Sequence, residues 1–130
     1  MIITKSREEI ELMREAALVV SRTLGMLATE VKVGVTTNEL NTMAEAYIRE
    51  QDAVPGFLGL YDCPSTLLTS VNEAIVHGLP TDVPLKEGDI VIFPNNLGVS
   101  ISNLDINGKK LKKGIFLNED RLFGICTLKE

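Results

Sequence analysis

The chain predicts an α+β fold in which two amino-terminal helices pack on antiparallel strands. Ser6 and Thr36 each open a capping-box pattern ahead of an apolar stripe at helical spacing. From Phe57 onward the chain turns to apolar and β-branched residues punctuated by glycine, proline and asparagine, which are strand and turn signals.

The first helix begins near Arg7, because Ser6 can cap the amide three residues on while Glu9 reaches back. Ile10, Met13, Ala17, Val20, Leu24 and Leu27 recur at three- and four-residue steps and form its predicted core face, which runs to about Thr29. The segment VKVGV, residues 31–35, interrupts the helical pattern. Thr36 and Glu39 then offer the second capping box, and Leu40, Met43, Ala44, Tyr47 and Ile48 supply an apolar stripe ending around Gln51, before Pro55 and Gly56. The methionines read as core filler. Strands are expected at 66–71, 74–77 and 89–93, with Asn72-Glu73 turning the first into the second and Lys86 to Asp89 forming the turn into the third.

Composition narrows the function classes. At 130 residues, 45% of them hydrophobic, the chain holds about one domain and is too apolar for a disordered segment. Its net charge of −5 and pI near 4.9 oppose binding to a phosphate backbone, so nucleic acid is not an expected partner. No apolar run approaches the length of a membrane span and no leader pattern is visible, so no membrane association is expected and the cytoplasm is the expected setting. Cys63 and Cys126 form no CxxC pair and are expected to stay reduced.

After Val91 the texture changes. Residues 92–130 are rich in Asn, Lys, Leu and Ile, with a turn-like Asn95-Asn96 and a lysine cluster at Lys109, Lys110, Lys112 and Lys113 that reads as a solvated loop. The expected division is therefore 1–91 as the amino-terminal part of a domain and 92–130 as a divergent tail of uncertain structure that could form a few strands.

The segments GVTTNEL (34–40), AVPGFLGLYDCPSTLLTSVNEAIVHGLP (53–80) and LKEGDIV (85–91) together resemble the amino-terminal part of a type I methionine aminopeptidase, an M24-type metallopeptidase. The resemblance implies part of the pita-bread (creatinase/aminopeptidase) fold of two similar halves. It also implies a family activity: removal of the initiator methionine from nascent proteins, using two divalent ions such as cobalt, manganese or iron bridged by water or hydroxide. His77 is the chain's single histidine, and its imidazole can donate or accept a hydrogen bond. The resemblance places it where the family contacts the substrate peptide near the scissile bond. Phe57, Leu60, Cys63 and Leu68 fall where the family lines the pocket for the methionine side chain, with plain core packing as the equal alternative, so none is taken as a site residue.

The same resemblance implies five ion ligands, Asp, Asp, His, Glu and Glu. It brings the first aspartate to the position of Pro94, which has no donor to offer. Asp105 stands near the second, in surroundings unlike the family's, and Glu119-Asp120 reads as a solvated turn. No metal ligand and no catalytic residue are therefore assigned, and no cofactor is expected for this chain. Ser-His-Asp or Cys-His chemistry finds no marked nucleophile, and neither GxSxG nor a phosphate-binding glycine loop is present. The expected function is a truncated methionine aminopeptidase, inactive alone. The alternatives are a non-catalytic half-fold that binds methionyl peptide ends or a partner, and a gene remnant; an exposed half-fold face would favour self-association.

Overall fold

The computed structural model describes residues 4–93, 99–101, 105–106, 109–110 and 124–127, with side-chain surroundings for 4–93. Helix α1 spans Arg7–Glu30 and α2 spans Thr37–Glu50. Both predicted capping boxes form: the Ser6 hydroxyl accepts from the Glu9 amide and the Thr36 hydroxyl from the Glu39 amide, each at 3.1 Å, while each glutamate accepts from the cap's own amide. These contacts satisfy orphan donors at the helix starts and fix both boundaries locally.

The buried face of α1 is partly the expected one: Leu27 is in the core and Val20 and Leu24 pack against it, but the fully buried set is shifted. Ala16, Val19, Thr23 and Leu27 point inward, whereas Ile10 and Ala17 are exposed. Thr23 can be part of that set because its hydroxyl donates to the Val19 carbonyl at 2.8 Å and so enters the core with its hydrogen bond already made. On α2 the inward face is Thr37, Leu40, Ala44 and Ile48. Met26 packs against the core as core filler would, whereas Met13 is half-buried outside the core cluster and Met43 is 37% exposed, which narrows the reading of the methionines as core filler to Met26.

Three antiparallel sheets are described. Strand β1 (Ala53–Pro55) pairs with β4 (Val99–Ile101); β2 (Ser70–Val71), β3 (Ile90–Phe93) and β7 (Gly124–Thr127) form a sheet with β3 central; β5 (Asp105–Ile106) pairs with β6 (Lys109–Lys110). The boundary expected at Val91 falls inside β3, where Val91 faces Cys126 and Phe93 faces Gly124. Lys109 and Lys110 form a strand rather than a loop, while Asn95, Asn96, Lys112 and Lys113 lie outside the described residues.

Two strand expectations fail. The strand read over 66–71 contracts to Ser70–Val71, and 74–77 is irregular. The β-branched residues there fit a strand, but the Leu67 amide is taken by the Asn41 side chain and the Ala74 and His77 amides close local turns, which interrupts a ladder. Strand β1 is not among the expected strands, because Pro55 reads locally as a breaker; proline is admissible at a strand end that needs no amide donor.

The core joins the helices to the sheet. Leu27 from α1, Leu40 and Ile48 from α2, and Leu67, Val91 and Phe93 from the strand region are each almost fully withdrawn from water. Segment 81–85 is stitched to the start of α2: the Thr81 amide donates to the Thr37 hydroxyl at 2.8 Å, and Gly34 and Leu85 contribute further backbone bonds of 2.8 Å. Among the described residues no helix is long and apolar enough to cross a membrane.

Candidate functional site

His77 sits in solvent on a loop closed at both ends by hydrogen bonds. At the near end Asn72 leaves β2 in the left-handed region, φ 52°, which asparagine tolerates better than most residues. Its amide donates to the Ile90 carbonyl at 2.9 Å and its side-chain oxygen accepts from the Ile90 amide at 3.0 Å. Its side-chain nitrogen donates to Asp89 Oδ1 at 2.9 Å, and Asp89 Oδ2 accepts from the Lys86 amide at 2.8 Å. The expected turn through Asn72-Glu73 therefore exists, closed by the Ala74 amide on the Val71 carbonyl, but it leads into a loop.

At the far end the Gly78 carbonyl accepts from the Thr69 amide at 2.8 Å and the Gly78 amide donates to the Ser70 hydroxyl at 3.2 Å. A Cβ at Gly78 would collide with the Thr69 carbonyl oxygen, so glycine is required by the closeness of two backbones. Between these ends Val76 adopts φ 52°, and the His77 amide closes a three-residue turn onto the Ile75 carbonyl at 2.6 Å. A β-branched residue in that region is an outlier carrying roughly 1–3 kcal/mol of strain, of a kind that persists only where surrounding contacts enforce it. Ile75, 83% exposed, and Leu79, 49% exposed, flank the imidazole with apolar groups in water.

A second loop precedes the run that ends in β2. Residues 57–63 are held by backbone bonds from Leu60 to Phe57, Cys63 to Leu60 and Gly59 to Cys63, all between 2.9 and 3.0 Å. Phe57, Leu60, Cys63 and Leu68 are all half-buried, and Tyr61, at φ 48°, projects into solvent. The connecting run is anchored by the Leu67 amide on the Asn41 side chain at 2.9 Å, and it continues to Thr69 and Ser70, which hold Gly78. One buried run thus supports both loops. The reading of the residues missed the tie between Asn72 and Asp89; its sequence signal was polar residues suited to turns in each of two quoted segments, 17 positions apart.

Asp89 is held below its ordinary carboxylate value of 3.8, first by the hydrogen bond from Asn72, then by the Lys86 amide, with a smaller contribution from the Lys86 charge. A carboxyl depressed in the folded state contributes stability that is complete above its unfolded value and is lost as pH falls through the folded one. Acid unfolding followed from about pH 5 to about pH 2 should therefore be less steep for Asp89→Asn than for the parent chain. Parallel acid profiles would remove this role from Asp89.

Among the described residues no group of three or more His, Cys, Asp or Glu side chains converges closely enough to hold an ion. Pro94, Glu119 and Asp120 lie outside the described residues, and Asp105 is placed only by its backbone, opposite Lys110 in β5. The described residues do not fit a two-ion centre, and no chemical step is assigned to one.

The model of metallopeptidase family M24 matches residues 11–97, which include most of α1, all of α2, both loops and β3. A methionine aminopeptidase of Clostridium perfringens is 46% identical over 130 residues, covering 100% of this chain and 47% of that protein. One from Helicobacter pylori is 42% identical over 100 residues, covering 77% of this chain and 39% of its own length. The crystal structure of methionine aminopeptidase from Rickettsia prowazekii superposes with a TM-score of 0.70 at 35% identity, over 77% of this chain and 39% of that one. The chain thus spans less than half the length of these relatives, and its two helices and small antiparallel sheets correspond to part of their pita-bread fold. The chain belongs to metallopeptidase family M24, as a counterpart of the amino-terminal part of methionine aminopeptidases.

Proposed function

We propose that this chain supplies the peptide-receiving front of a methionine aminopeptidase, with His77 meeting the methionyl end of a peptide, and that its 130 residues alone do not cleave that peptide. The supporting observation is the contrast between a pinned, solvent-facing His77 loop and a proline at position 94, where the resemblance puts the first ion ligand. The apolar flanks at Ile75 and Leu79 suit a methionine-bearing end better than a strongly charged one. In this reading the imidazole orients the peptide by a hydrogen bond, the loop ends hold the imidazole in place, and the substrates are methionyl chains in the cytoplasm.

Purified chain incubated with Met-Ala-Ser and cobalt or manganese should release no free methionine above a His77→Ala control. Release above that control would overturn the proposed inactivity. The peptide contact has its own test, because a single histidine gives one unambiguous ring resonance. Titrating Met-Ala-Ser should shift that resonance saturably, and an unmoved ring would remove His77 from the peptide site.

A further inference from the structure

The His77 loop has two anchors of different kinds. Its far end is fixed by main-chain closeness at Gly78, with the Ser70 hydroxyl accepting from the Gly78 amide. Its near end carries, besides the main-chain bond from Asn72 to Ile90, two side chains that belong to no catalytic reading of this chain. Asn72 accepts from Ile90 and donates to Asp89, and Asp89 uses its second oxygen on Lys86, so both ends of both side chains are engaged. The bond between them is exposed, so the tie does not serve the core. Between the anchors stands Val76, strained at φ 52° beside the imidazole that the loop presents. Strain at such a position relaxes unless something holds both ends of the segment.

We propose that Asn72 and Asp89 form a polar clasp that positions His77, keeping the Val76 turn in its strained conformation so that the imidazole is presented at one place. This rests on the reading of His77 as the peptide contact. Asn72 and Asp89 are positioning residues, since neither touches the peptide in that reading.

The pattern of donors and acceptors yields a specific test. In Asn72→Asp two carboxylates face each other across the former 2.9 Å bond, and in Asp89→Asn the new amide cannot both accept from Asn72 and accept from Lys86 with its two different ends. In the double variant Asn72→Asp/Asp89→Asn, the carboxylate now at position 72 accepts from the Ile90 amide and from the side-chain nitrogen introduced at position 89. The side-chain oxygen at position 89 accepts from the Lys86 amide. All three bonds return with roles exchanged and net charge unchanged.

The readout is the backbone carbon shifts of Val76, which distinguish left-handed from extended backbone, together with the His77 ring resonance. The parent chain should show the left-handed signature, both single variants should lose it while the helices keep their shifts, and the double variant should regain it. Single variants that retain the signature, or a double variant that lacks it, overturn the clasp. Should a single variant fail to fold, the double variant still decides: folded with the signature supports the clasp, and unfolded overturns it. Adding Met-Ala-Ser separates the two ideas, because a restored Val76 signature with an unmoved His77 ring keeps the clasp and removes the peptide contact.

Discussion

Phe93→Ala should lower the stability of the chain by about 4 kcal/mol, the loss expected when a large buried aromatic is cut back to a methyl. Phe93 is only 2% exposed, stands at the end of β3 opposite Gly124, and packs in the cluster that joins both helices to the sheet. Glycine opposite it offers no side chain that could collapse into the vacated space, so the cavity persists and the cost stays near the upper part of the usual range. Urea unfolding of parent and variant measures the difference directly, and the slope with denaturant should be unchanged. A loss below about 1 kcal/mol would mean that the site repacks or that the ring is not the keystone its burial indicates. The residue lies two positions past the Val91 boundary read from the sequence, so the result also tests whether the core extends beyond it.

Gly78→Ala should be nearly as costly, about 3 kcal/mol, and should act on the loop as well as on stability. The added methyl meets the Thr69 carbonyl oxygen, part of the backbone, which cannot swing aside as a flexible side-chain end would. Moving it breaks the Thr69 amide's bond to the Gly78 carbonyl and the Gly78 amide's bond to Ser70. The adjoining Thr66 and Thr69 hydroxyls are buried with no protein partner among the described residues, so this run has little polar compensation to offer a shifted backbone. Thermal unfolding should show the loss, and the His77 ring resonance should move or broaden even where the variant stays folded. A variant as stable as its parent, with the ring unmoved, would show that the two backbones are not as close as described.

The loop also shows why legibility differed along the chain. Both helices could be read to within about one residue at their starts because a capping box uses groups three residues apart, so the information is local. The full buried set of α1 could not, since a threonine counts as polar until its hydroxyl is seen bonded to the Val19 carbonyl. The third strand was legible from the turn that feeds it: the Asp89 amide closes onto the Lys86 carbonyl at 3.1 Å and Gly88 takes φ 83°, where glycine is at ease. Residues 74–77 have strand composition and no strand, because the Ala74 and His77 amides close local turns onto Val71 and Ile75 instead of pairing with a neighbour.

His77 was legible as a candidate because it is the one histidine and stands in a recognisable segment. What the residues alone determined was the helix starts, the turns at Asn72 and Gly88, and the amino acids available for chemistry, all properties of neighbours in the chain or of composition. Only the tertiary structure decided that Thr23 and Thr37 turn inward with the apolar stripes, that β3 is central with strands on both sides, and that Asn72 and Asp89 meet beside the His77 loop. These depend on groups brought together across many intervening residues, where hydrogen bonds and packing override local preference.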